Sequence, residues 1–135
     1  MKLMLKTYRC GSPRKRGEGI RVGTVRFPPR GVKKVDYKKK DYFDIWFPTV
    51  APSRTLRKKV KKWNFDEKTL HDKFLDLYEK ELKKDTDARQ SVMLLAEIAK
   101  KSPISVGCYC KNEQRCHRSR LIKVIEKAAH GKWGK

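Results

Sequence analysis

At 135 residues the chain has the length of one ordinary domain, 1–135, able to bury a core without disulfide staples. Lysine and arginine number 36 against 15 acids, a formal charge of +21, and such self-repulsion destabilises a compact state unless anions neutralise it; a heat-adapted surface would have raised glutamate alongside lysine. A polyanionic partner, with nucleic acid first, is therefore expected, whereas the lack of a long apolar run excludes a membrane span and the short, soon-polar opening MKLMLKTYRC argues against a signal peptide, which sets the expectation of a cytoplasmic protein.

In chain order, Lys2–Tyr8 alternates Leu3 and Leu5 with basic residues and predicts a first strand. The segment 9–19, rich in glycine and arginine, predicts an exposed basic loop in which Cys10 reads as an ordinary thiol. Ile20–Phe27 predicts a second strand, with Ile20, Val22 and Thr24 on one face and Arg21, Gly23 and Val25 on the other. Pro28 and Pro29 stop it. A strand ending in prolines must turn, so Arg26 and Arg30 project at the end of the sheet, as a fork for phosphate or carboxylate or as partners of an acid such as Asp44. The lysine-rich stretch 32–41 predicts a second exposed basic loop.

Tyr42–Pro52 is the most aromatic part of the chain and predicts a short strand or extended cover at Phe43–Phe47; Phe43, Trp46 and Phe47 read as core, although aromatics beside basic residues can also stack bases. Ser53 is a good N-cap for a short, strongly basic helix with Leu56 and Val60 four apart. Asp66 is placed to cap the longest helix, whose stripe is Leu70, Phe74, Leu77, Tyr78 and Leu82, with His71 at its boundary. Another helix starts at Thr86 or Asp87 and turns Val92, Leu95, Ala96 and Ala99 inward. Ile104 onward is short, apolar and β-branched, a buried strand, and after a polar loop Leu121, Val124, Ile125 and Ala128 mark a last helix that ends at Gly131, leaving 131–135 as a loose tail. Strands early and late with helices between predict an α/β fold, a small, mostly parallel sheet with helices packed on its faces.

Cys108, Cys110, Cys116 and His117 fall where such a sheet opens its crevice, at the carboxyl ends of its strands. Four soft or borderline ligands are the right number for zinc, but C-x-C on an extended strand holds its sulfurs too far apart unless the strand end curls. Alternatively Cys116, near a helix N-terminus among cations, is a reactive thiol with His117 as acid or base. Adjacent helical residues point about 100° apart, so that pair can meet only if the helix begins after them. A phosphatase loop separates its cysteine and arginine by five residues, whereas four lie between Cys110 and Arg115 and six between Cys108 and Arg115. A third reading makes the helix start, with Arg118, Ser119 and Arg120, an anion site joined by Arg26 and Arg30, the thiols being small apolar fillers. A fourth makes Cys108 and Cys110 packed strand residues, with Arg118 paired to Glu113.

CHRSR after CYCKNE, the corner IRVGTVRFPPRGV, VAPS before a basic helix and LYEKEL in the long helix together resemble the DUF488 family, including its shorter YeaO-like branch. The resemblance covers most of the chain and implies a compact α/β domain with a Rossmann-like parallel sheet and no particular reaction. Cys108 matches the cysteine that ends the family's strand, Cys116-His117-Arg118 its CHR signature, Arg26, Arg30 and Gly31 its arginine-rich corner, and Pro52-Ser53 its APS turn. Val25 and Pro28 stand where the YeaO-like corner usually has an acid and a tryptophan.

Overall fold

The computed structural model describes residues 2–63, 68–110 and 116–133, with 68 and 69 described through their backbone alone. Strands β1 (Leu5–Arg9), β2 (Ile20–Gly23), β3 (Ile45–Trp46) and β4 (Ile104–Cys108) form one sheet in the order β1-β4-β2-β3, with every pairing parallel. The helices are α1 (Arg54–Lys61), α2 (Lys68–Lys84), α3 (Thr86–Lys101) and α4 (His117–Ala129). This is the small parallel α/β fold that the order of elements predicts.

β4 runs between β1 and β2 and pairs with both, which is why its residues are small or β-branched and all five are buried. Val22, Ile104 and Val106 face the main core, where they meet Leu56 and Val60 of α1, Tyr78 and Leu82 of α2, Val92 and Leu95 of α3, and Leu121, Val124 and Ile125 of α4. By strand alternation Arg21, Gly23, Ser105 and Gly107 lie on the opposite face. Aromatics from β1 and from the loop before β3 cover that face: Gly23 and Gly107 are in register, and a side chain on them would strike the ring of Phe43 and of Tyr8, respectively. The two rings, with Cys10, Val25, Cys108 and Cys116, make a second, smaller core directly behind the carboxyl edge of the sheet.

β2 is shorter than the sequence predicts. It ends at Gly23, Thr24 still donating its amide to the Gly107 carbonyl at 2.9 Å, and the chain then turns toward the prolines. The 9–19 loop is largely exposed, but it is tied down by Arg21, on the strand face opposite Val22. Arg21 is fully buried, stacks 4.2 Å from the centre of the Tyr8 ring and uses its guanidinium on both Glu18 carboxylate oxygens and on the carbonyls of Ser12, Pro13 and Asp41.

The helix starts follow their caps. The Ser53 hydroxyl accepts from the Leu56 amide at 3.0 Å and also bonds Glu81 of α2, while the Tyr78 hydroxyl donates to the Val50 carbonyl; together they dock the basic α1 on α2. α3 starts at Thr86, the earlier of the two expected positions, and is capped by Asp85 accepting from the Asp87 amide. Asp66, the expected cap of α2, lies outside the described residues. No helix among the described residues is long and apolar enough to cross a membrane.

Candidate functional site

Where β2 and β4 end, the chain leaves the sheet in two directions and opens a cavity of about 870 Å³. Its lining includes Arg26 and Arg30 from the proline corner, Arg57 from α1, Tyr42, Tyr109, and Cys108, Cys110 and His117. A second cavity of about 870 Å³ adjoins it, sharing Phe27, Arg30, Arg57 and Cys110 and adding Arg54, Lys58 and Lys61 of α1. Phe27, 47% exposed, stands between them with the Arg54 and Arg57 guanidiniums 5.0 and 5.9 Å from its ring centre. Its backbone is held by the Tyr109 hydroxyl, which donates to the Phe27 carbonyl at 2.9 Å. No carboxylate lines either cavity among the described residues.

Arg26 anchors the corner, donating to the carbonyls of Ala51 at 2.9 Å and Pro52 at 3.1 Å, so the APS turn and the arginine corner are joined through it. Arg30 is exposed. Asp44, the acid considered as partner for these arginines, instead pairs with Arg14 and accepts from the Arg21 amide.

Beneath the cleft lie the cysteines. The strand ends at Cys108, so Cys110 is no longer held in extended pairing; the chain end curls and the sulfurs of Cys108, Cys110 and Cys116 come within 4.8 Å of one another. Those of Cys108 and Cys116 stand at disulfide distance, with their Cα atoms 7.6 Å apart, and Cys10 and Cys110 are free. Cys116 is the N-cap of α4 in extended conformation, so the helix begins at His117 and the two side chains do meet: the Cys116 sulfur is 3.6 Å from His117 Nδ1. His117 Nε2 lies 2.6 Å from the Thr24 carbonyl oxygen. A carbonyl only accepts, so Nε2 carries the proton and Nδ1 presents its lone pair to the cysteine. Burial pushes the imidazole down to about 4, the Thr24 carbonyl opposing and Arg57 and Arg118 adding to the shift, so the ring is neutral near pH 7.

The anion set expected at the helix start is divided by the structure. Arg118 is buried and directs Nη1 at the Cys108 sulfur (3.3 Å) and the Cys110 carbonyl (3.1 Å); its Nε has no partner among the described residues, and Glu113 lies outside them. The Ser119 hydroxyl donates to the Cys116 carbonyl at 2.8 Å, closing the first turn. Arg120 points to α2, where it pairs with Asp76 at 2.9 Å and Glu79 at 3.1 Å, and it lines neither cavity. Cys10 is buried beside the Tyr8 hydroxyl, and burial pushes its thiol up to about 11. The cations of α1 were not singled out by sequence reasoning, although the run RTLRKKVK was the available signal. Leu56 and Val60 face α2, which leaves Arg54, Arg57, Lys58 and Lys61 outward over the cleft.

Residues 5–129 match the family model DUF488-N3a, described as the active DUF488-N3 subclade. The chain is also 31% identical over 114 residues to the uncharacterized protein YeaO of Escherichia coli (strain K12), covering 84% of this chain and 89% of that protein. No solved structure matches it.

Proposed function

The chain belongs to the DUF488-N3a family, and we propose that it binds nucleic acid through phosphate at the carboxyl edge of its sheet. The observation that carries this reading is the paired cleft, lined by Arg26, Arg30, Arg54, Arg57, Lys58 and Lys61 and by no described carboxylate. A phosphate entering there meets uncompensated cations, so binding releases its counterions instead of breaking protein ion pairs. Arginine forks at Arg30 and Arg57 hold phosphate oxygens in two-pronged fashion, and Phe27 offers an exposed ring on which an unpaired base can stack. Contacts of this kind position a strand without reading its sequence.

The test is binding of fluorescein-labelled single- and double-stranded oligonucleotides across a salt series. We expect affinity to fall steeply with salt, and Arg30→Gln with Arg57→Gln together to weaken binding about tenfold and reduce the log–log salt slope by about 1.4–1.8, the share of two phosphate contacts. Absence of binding at low salt, or unchanged affinity in the double variant, overturns the proposal.

A second reading, a thiol-dependent enzyme, is favoured by the 3.6 Å approach of Cys116 to His117 Nδ1 and by the word active in the subclade's description. In it Cys116 is the nucleophile and His117 takes its proton. Cys116 is 1% exposed, and Cys108 and Cys110, not Cys116, line the cavity, which places this reading second. Peptide-resolved alkylation of the reduced protein decides it: a Cys116 that reacts no faster than free cysteine at neutral pH removes the enzyme.

A further inference from the structure

We propose that Cys108, Cys110, Cys116 and His117 form a site for one thiophilic cation of the zinc class at the floor of the cleft. Three sulfurs converge within 4.8 Å, Cys108 placed by the end of β4, Cys116 by the cap of α4 and Cys110 by the loop that follows β4. Zinc–sulfur bonds of about 2.3 Å at tetrahedral angles set sulfurs about 3.8 Å apart, so the cluster needs only small side-chain adjustment to surround an ion. The Cys108 and Cys116 sulfurs stand at disulfide distance, so the ion enters the reduced protein, where these two side chains turn apart to take it between them.

His117, beside Cys116 and outside the three converging sulfurs, is the fourth ligand. Its Nδ1 lies 3.6 Å from the Cys116 sulfur, the separation of about 3.6 Å that sulfur and nitrogen have across a tetrahedral zinc. Its other nitrogen donates to the Thr24 carbonyl, the outer partner that orients imidazole ligands and fixes the tautomer with Nδ1 free. Arg118 Nη1, 3.3 Å from the Cys108 sulfur, offsets the net negative charge that three thiolates keep around a divalent ion. Among the described residues no carboxylate belongs to the group, and its sulfurs favour a soft cation over magnesium or calcium. Cys108 and Cys116 are buried and Cys110 is exposed, so the ion would be reached from the cavity side.

The experiment is titration of reduced, metal-free protein with cobalt(II), followed by displacement with zinc. One equivalent with thiolate-to-cobalt charge-transfer absorption and tetrahedral ligand-field bands is expected, bleached by zinc. Cys110→Ser should lower the charge-transfer intensity by about one third, one thiolate of three, and weaken binding at least about tenfold. Because Cys110 is exposed, the thermal midpoint of the metal-free variant should match the parent, which separates ligand loss from misfolding. Cys10→Ser, outside the cluster, should change neither band nor stoichiometry. Absence of the charge-transfer band, or a Cys110→Ser protein that binds like the parent, overturns the proposal. No oligonucleotide enters the assay, so its outcome is independent of the nucleic-acid reading.

Discussion

Replacing Arg21 with methionine tests what holds the loop-covered face together. Five hydrogen bonds leave its guanidinium, two to Glu18 and one each to the carbonyls of Ser12 (2.8 Å), Asp41 (2.7 Å) and Pro13 (3.0 Å). Arg21→Met keeps most of the side-chain volume but leaves the Glu18 carboxylate buried without its cation. Removing one partner of a buried pair costs about 3–5 kcal/mol, because the remaining charge is uncompensated. With an unfolding entropy of about 2.1 cal/mol/K per residue, this chain loses about 11–18 °C of thermal midpoint. Urea unfolding and thermal melts followed by circular dichroism measure it. Glu18→Gln in the same protein removes the stranded charge, so the double variant should be less destabilised than the two single losses added, by about 0.5–3 kcal/mol. A single variant that loses under about 1 kcal/mol, with strictly additive doubles, refutes the assignment of Arg21 as the tie between sheet and loops.

Acid should act on the same region. Burial alone would raise Glu18 and Asp44, but the Arg21 guanidinium and Lys15 amide on Glu18, and Arg14 and the Arg21 amide on Asp44, outweigh it and hold both carboxyls below their ordinary range. Folded values below the unfolded ones mean that the two carboxylates' contribution is fully present above about pH 4.3 and lost as pH falls through the folded values. His117, whose folded value of about 4 also lies below its unfolded one, already lowers stability as pH falls below about 6.5, so the urea midpoint should decline gently from about pH 6.5, drop more steeply below about 4, and drop less steeply there in Glu18→Gln. Gly19→Ala should destabilise by about 2 kcal/mol or more: φ is +69°, and the added methyl would strike the Pro103 carbonyl, which accepts from the Ile20 amide at 3.3 Å. Equal urea midpoints for Gly19→Ala and parent would show that the β2 entrance is not set by that contact.

Local signals were legible wherever the physics is local. Ser53 before a basic run, the i, i+3, i+4 pattern from Leu121 and the buried run from Ile104 each became the element they predict. Arg26 and Arg30 were legible at the site because prolines force the chain to turn at a known place. Arg120 was not: the acids that take it, Asp76 and Glu79, are more than forty residues away and meet it only once α4 packs on α2. Arg21 was hidden for a similar reason. Its strand position says which face it occupies, but only the loops bearing Ser12, Pro13, Glu18 and Asp41 make that face an interior. The Cys116–His117 contact turned on a single residue of helix boundary, and boundaries are the least certain feature a pattern supplies.

The charge surplus is distributed by this same division of labour. Described acids that pair with arginine do so across the scaffold's loops and helices: Glu18 with Arg21, Asp41 and Asp44 with Arg14, Asp76 and Glu79 with Arg120. Arg30, Arg54, Arg57, Lys58 and Lys61 have no such carboxylate partner among the described residues, and all five line the paired cleft. Folding therefore uses some arginines to tie loops and helices and leaves a group of unpaired cations over one opening. Cations crowded there repel one another across a low-dielectric edge, a cost the empty cleft bears and a polyanion removes. Whatever binds the folded state in this way also stabilises it by mass action, so ligand binding and relief of that repulsion are the same free energy seen from two sides.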